Sequence, residues 1–210
     1  MKKGERTRAA ILAEAADLAS SVGLHGLTVG SLAARAGMSK TGLIQHFGSK
    51  ERLQVETLKS ARDRFIATVV RPALATPRGI ARIRALFDYW MKWVIAAAPV
   101  GGCIFVAASA ELDDQPGTAR EYLVDQHKQW LDVITETVRK AVETGDCRSD
   151  LDVEQFTFEF MGILLAFHQL ERLMRNPQAL ARARTMFERL LADACRKPSD
   201  APSAISERRP

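Results

Sequence analysis

The segment AARAGMSKTGLIQHFGSKERL, residues 33–53, holds two helical runs separated by little more than Gly37-Met38-Ser39. So short a break makes the two helices cross at one fixed, steep angle, which excludes most other arrangements of this part of the chain. The crossing needs a small residue, supplied by Ala33, and a turn residue tolerant of positive φ, supplied by Gly37. Leu32, Met38 and Leu43 are spaced to lock the pair onto a third helix. Ser39 is placed to cap the second helix, leaving first-turn amides and the positive dipole end to face an anion.

These features predict a helix-turn-helix whose second helix lies in a DNA major groove. Thr28, Lys40, His46 and Lys50 stand at helix starts or near the end of that second helix and suit phosphate oxygens. Base reading falls to Lys40, Thr41, Gly42 and Gln45, since Gln can pair bidentately with adenine and Lys can donate to guanine. Gly42 costs roughly 1 kcal/mol of helix propensity relative to Ala; it either allows close approach to DNA or is simply tolerated. Charge points the same way. Residues 1–59 carry nine Lys/Arg against five Asp/Glu, whereas residues 60–210 carry twenty-one against twenty. A basic end on a nearly neutral body suggests a polyanion contact there, with a solvated surface as the bland alternative. The alternative for the whole segment is a helical hairpin that touches no nucleic acid.

The longer stretch TVGSLAARAGMSKTGLIQHFGSKERL resembles the N-terminal DNA-binding region of TetR-family transcriptional regulators, over about Thr7 to Leu58. The shared motif is a Thr cap, a Leu/Ile-Ala pair, Ala-Gly-hydrophobic-Ser, an aromatic-rich end and Ser-Lys-Glu. By that resemblance Thr28, Lys40, Thr41, His46 and Lys50 fall on DNA-contact positions. Two positions depart from the family. It often has Gly-Thr where this chain has Thr41-Gly42, and Tyr where it has Ile44, which has no hydroxyl for the phosphate contact such a Tyr usually makes. The resemblance implies an all-α homodimer on a palindromic double-stranded DNA operator, with a ligand-responsive C-terminal domain.

Helical periodicity dominates the rest, and about nine helices are expected. Ile11, Ala15, Leu18 and Val22 mark one face of a first helix ending near Gly23, and Thr28 is an N-cap for the second. Ser49 caps a fourth helix running to about Arg71, before Pro72. Ile83, Leu86, Phe87, Trp90, Val94 and Ala97 mark a fifth helix ended by Pro99, and further helices are expected over about 102–112, 117–144, 152–174 and 177–196. This divides the chain into a helix-turn-helix unit, 1–48, and a helical effector-binding and dimerisation domain, 49–196, whose first part, 49–71, connects the two. The tail 197–210 has three prolines and little to bury, and is expected to be disordered. Residues 93–110 are eighteen residues without a charge, but Pro99 and Gly101-Gly102 cut them into pieces of core-helix length, so no membrane span is expected. Glu14 and Asp17 interrupt the apolar stretch after the N-terminal lysines, which argues against a secretory leader.

Phe87, Trp90, Met91, Phe105, His127, Trp130, Phe158 and Met161 gather large and adaptable side chains in the middle of the chain. The residues leave ordinary core and an apolar effector pocket both open; the family resemblance favours a small apolar or aromatic effector. Between Phe156 and Phe167 the helix VEQFTFEFMGILLAFHQLERLM is apolar nearly all round, and a helix apolar on every side is expected to be buried on every side. We expect it to form a dimer interface through Phe160, Gly162, Leu164 and Phe167, with Met186, Phe187 and Leu190 of the next helix, in a four-helix arrangement. The alternative is a wholly intramolecular core. Cys103, Cys147 and Cys195 are an odd, scattered set that fits reduced cytoplasmic thiols. Cys103 opens a helix, where the dipole can lower a thiol pKa, although buried free Cys is the commoner case. No ligand pairs suggest a metal or cofactor. An all-α enzyme, for which no nucleophile–base pair is evident, and a DNA-binding protein without an effector are the competing functions.

Overall fold

The computed structural model describes residues 3–96 and 101–195, and every regular element among them is helical. In chain order these are α1 (Lys3–Gly26), α2 (Val29–Ala36), α3 (Lys40–Phe47), α4 (Lys50–Phe65), a π-helical turn (Ile66–Val70) and α5 (Arg71–Ala75). Then follow α6 (Ile80–Ala96), α7 (Ile104–Leu112), α8 (Thr118–Glu143), α9 (Val153–Arg172) and α10 (Ala179–Ala194). Because α4, the π turn and α5 run on without a break, the described residues form nine separate helical rods. The turn expected at Pro99 and the tail 197–210 lie outside the described residues. No described helix is long and apolar enough to cross a membrane.

Two elements differ from the sequence reading. The connecting helix does not stop before Pro72 but continues to Ala75. A proline ring crowds the carbonyl four residues back and lacks an N–H. Here the chain widens just ahead of it, so that Arg71 bonds the carbonyl of Ile66, five residues back, and the helix passes the proline intact. In α1 the helical path breaks at Gly23 (φ 79°, ψ 166°) and resumes for Leu24–Gly26. The inward face is Ile11, Ala15, Ala16 and Ala19; Leu18 is half-buried and Val22, next to the break, is exposed.

The side chains sort into two cores. The first joins Leu27, Leu32, Leu43 and Phe47 to Leu53 and Leu58 of α4 and to Ile104, Ala108 and Leu112 of α7, far along the chain. This core therefore straddles the boundary expected between residues 48 and 49. The second holds α6, α8, α9 and α10 together. At its centre Phe87 stacks on Phe187 with centroids 4.0 Å apart, and Phe160 stands edge-on to both.

That second core corrects the helix phase expected for the interface. Phe160, Leu164, Phe167 and Phe187 are all buried within the single chain. The outward face is instead Phe158 (74% exposed), Leu165 (44%) and Met186 (52%), with exposed Gly162 and half-buried Leu190 beside them. A helix apolar on all sides carries no phase in its sequence; contact with α6 and α10 selects it. Phe158, Gly162, Met186 and Leu190 line one surface groove. Truncating Phe160→Ala removes a fully buried ring and is expected to cost about 3–5 kcal/mol of stability, read as a lowered chemical-denaturation midpoint.

Candidate nucleic-acid interface and buried cavity

Each helix of the N-terminal pair is started by its own cap. The Thr28 hydroxyl accepts from the Ser31 amide at 3.0 Å, and the Thr28 amide donates to the Ser31 hydroxyl at 3.1 Å. Gly37 ends α2 in the left-handed region (φ 63°, ψ 31°) with its amide on the Ala33 carbonyl. The Ser39 hydroxyl accepts from the Gly42 amide at 3.1 Å and starts α3. Leu43 and Phe47 bury the inner face of α3, which leaves Lys40, Thr41, Ile44 and Gln45 exposed on the outer face and Gly42 half-buried.

Packing brings two of these starts together. A Cβ placed on Gly30 would lie 3.4 Å from Lys40 Cε and 3.8 Å from the Thr28 hydroxyl, so the Lys40 side chain lies across the start of α2. Thr28, Lys40 and the dipole ends of α2 and α3 thus share one surface, which is chemistry suited to phosphate. The remaining expected contacts are held differently. His46 is half-buried and its carbonyl accepts from Arg8 Nη1 at 2.6 Å. Lys50 Nζ donates to the His25 carbonyl at 2.9 Å, where its charge meets a helix C-terminus. Arg8 was not singled out by sequence reasoning. It also bonds Glu56 and lies 4.7 Å over the Phe47 ring, fastening α3 to α1 and α4.

A cavity of about 150 Å³ lies deeper in the chain, between α4, the π turn, α6, α7, α8 and α9. Of the expected effector contacts, Trp90, Phe105, His127, Trp130 and Met161 line it. Phe87 and Met91 do not; they are core residues whose rings and chains are consumed by packing. Phe158 does not either, because it points out of α9 into the surface groove. Phe65 is a wall that sequence reasoning missed. It makes edge contacts with Trp93, Phe105 and Trp130 at 5.5, 6.0 and 5.2 Å. Its only sequence signal was the Ala61-Phe65-Val69 spacing on α4's buried face, which any core would share. Cys103 lines the cavity too, and burial pushes its thiol pKa up, so the lowering by the helix dipole does not prevail. Burial likewise lowers the pKa of His127 and keeps its ring neutral, with Nε2 at 2.9 Å from the Ser109 hydroxyl. His168 sits beside Gly102 rather than in the cavity and accepts weakly from the Cys103 amide at 3.4 Å. Among the described residues no group of three His, Cys, Asp or Glu is placed to hold a metal ion.

Cavity and interface are joined by α7. Phe105 and Val106 stand on the cavity wall; one to two turns later Glu111 reaches the break in α1. Its two carboxylate oxygens accept from the Leu24 amide at 3.1 Å and the His25 amide at 2.8 Å. A second tie is Glu51 of α4, which accepts from the amide and hydroxyl of Thr118 at 3.0 and 2.8 Å. These hydrogen bonds hold the Glu51 carboxyl below its usual pKa.

Comparison with known proteins bears on both halves. The family model for bacterial regulatory proteins of the tetR family matches residues 11–57, and that for the tetracyclin repressor-like C-terminal domain matches residues 79–187. The chain is similar to the transcriptional regulator RutR of Escherichia coli, at 36% identity over 92 residues. That match covers 41% of this chain and only 42% of RutR. It is also similar to the transcriptional repressor KstR2 of Mycobacterium tuberculosis, at 28% identity over 147 residues, covering 70% of this chain and 72% of that one. Among solved structures, a TetR transcriptional regulator from Chloroflexus aurantiacus J-10-FL superposes with a TM-score of 0.78 at 25% identity, covering 91% of this chain and 96% of that one.

The Glu111 tie generates a local prediction. Glu111→Ala leaves two amides at the α1 break without their carboxylate, at a cost of about 1–3 kcal/mol. Amide hydrogen exchange at Leu24 and His25 is expected to speed up, while exchange in α9 and α10 stays unchanged.

Proposed function

The chain belongs to the tetR family of bacterial regulatory proteins, and from that premise we propose that it is a cytoplasmic, homodimeric transcriptional repressor, released from a palindromic operator by a small apolar effector. Its work is binding rather than catalysis. The observation that carries this reading is the double role of α7: one end walls the cavity and the other, through Glu111, holds the break in α1 against which the reading helices pack.

In this proposal α3 enters the major groove. Thr28, Ser39 and Lys40 face phosphate, Lys40, Thr41, Gly42 and Gln45 face base edges, and His46 and Lys50 flank them. Two copies pair through the outward face of α9 and α10, with Phe158, Gly162, Leu165 and Met186 meeting their counterparts. Pairing sets the separation of the two α3 helices, which must match half-sites about 34–36 Å apart. An effector between Trp90, Phe105 and Trp130 displaces α7 and the π turn. Glu111 and α4 carry that displacement to α1–α3, and the separation no longer matches. A ligand can do this only to the extent that it prefers one state. A typical coupling of about 1–3 kcal/mol lowers operator affinity about 5- to 150-fold.

The test begins with DNA fragments selected from random sequence by the purified protein. Lys40→Ala is expected to weaken binding to all DNA, to selected DNA more than to unselected because Lys40 also faces a base edge, and to flatten the slope of log K against log salt by about two per dimer. Gln45→Ala changes the selected sequence instead. Hydrophobic compounds that quench tryptophan fluorescence are then titrated with and without the selected DNA, and an inducer must bind more weakly to the DNA complex. Identical affinities in both titrations exclude an effector role for that compound, and a DNA-binding regulator with no effector is then the better reading. Sedimentation supplies a separate check on pairing: Gly162→Trp, whose Cβ meets open space within the chain, is expected to remain folded and run as a monomer.

A further inference from the structure

The cavity wall leaves two buried polar atoms without a hydrogen-bond partner, Arg62 Nε and Trp130 Nε1. Both are donors. The Gln and His side-chain nitrogens on the wall are engaged. Gln126 and Gln129 donate to the Asp125 carboxylate at 3.0 and 2.7 Å, and His127 is bonded to Ser109. Arg62 does have an acidic neighbour, Asp63, at 3.3 Å from Nη1, but that side chain is 74% exposed and solvated, and it leaves Nε unpaired. An occupant that satisfies these two donors must therefore bring an acceptor.

Size and charge narrow the class. An apolar cavity of about 150 Å³ holds one benzene-sized body. The Arg62 side chain, 37% exposed and always charged, stands where the apolar space gives way to solvent. A neutral acceptor would satisfy Nε, but only an anion also uses the charge, even where solvent at the mouth screens part of it. We propose that the effector is a small monocarboxylate of the arylcarboxylate class. Its apolar body lies among Phe65, Trp90 and Trp130, and its carboxylate lies on Arg62. The proposal rests on the effector reading of this cavity and adds the chemistry of the ligand.

Benzoate and benzyl alcohol present the same ring with and without the charge. Each is titrated by tryptophan fluorescence against the full-length wild type and against Arg62→Gln, in the presence and absence of selected DNA. Benzoate is expected to bind wild type about tenfold more tightly than benzyl alcohol, and Arg62→Gln to remove that preference while leaving benzyl alcohol within about twofold. Arg62→Lys, which keeps the charge but loses the Nε donor, is expected to fall between. Equal binding of the two probes, or benzoate binding that ignores Arg62→Gln, overturns the proposal. Should benzyl alcohol bind and release DNA while benzoate does neither, the effector reading stands and the carboxylate falls. Arg62-dependent benzoate binding without effect on DNA affinity keeps the ligand class and removes the effector role. Silence of both probes sinks both.

Discussion

The carboxylate of Glu111, placed on two backbone amides at the α1 break, is the contact on which the organisation of this molecule turns. Gly23 takes a positive φ there, and leaves the amides of Leu24 and His25 without helical partners. A side chain from eighty-odd residues further on supplies both acceptors. The approach is too close for any Cβ: one at Gly23 would overlap Glu111, and one at Gly101 would overlap the Ser20 carbonyl. Two glycines thus let the body of the protein press directly on the backbone of the reading unit. Gln54 and Lys50 complete the joint by donating to the carbonyls of Leu24 and His25. The N-terminal helices are consequently not an independent domain on a tether, because their core includes three side chains of α7.

Around that joint, the cavity exists because aromatic rings meet edge-on and leave space between them. Phe65 touches three other rings at tilted angles. By contrast, the stacked pair Phe87 and Phe187 fills its own space completely. The π turn adds to this. It lets α4 pass Pro72 and presents Ile66 and Val70 to the cavity, so the irregular part of this rod lies against the proposed ligand. Single π-helical turns inside α-helices occur frequently at functional sites, and this one lies on the cavity wall.

The apolar residues of α9 divide between the subunit's own core and an outward face. Residues 156, 160, 163, 164 and 167 are consumed by the subunit's own core, residues 158, 162 and 166 remain outside, and exposed Leu165 also borders the cavity. Exposed apolar groups gathered on one face mark an interaction surface. Gly162 at its centre permits backbones to approach closely.

How much was legible follows the range of each interaction. Capping, turn and pair-locking are local, settled within four residues of chain, and for that reason Thr28, Gly37 and Ser39 take the roles their sequence implies. The all-α class and the helix starts are legible for the same reason. The rest depends on contacts between segments far apart. Nothing near Glu111, Arg8 or Arg62 in sequence announces a partner twenty to ninety residues away, or the lack of one. The same holds for apolar residues: Trp90 and Met91 are neighbours of similar character, yet one lines the cavity and the other fills the core. The sequence by itself determined which segments are helical and which helix is built to meet an anion, because hydrogen bonding within a turn decides both. Only the tertiary structure decided which face of α9 turns inward, where space remains beside the tryptophans, and which carboxylate holds the break in α1. Those outcomes depend on how whole helices fit against one another.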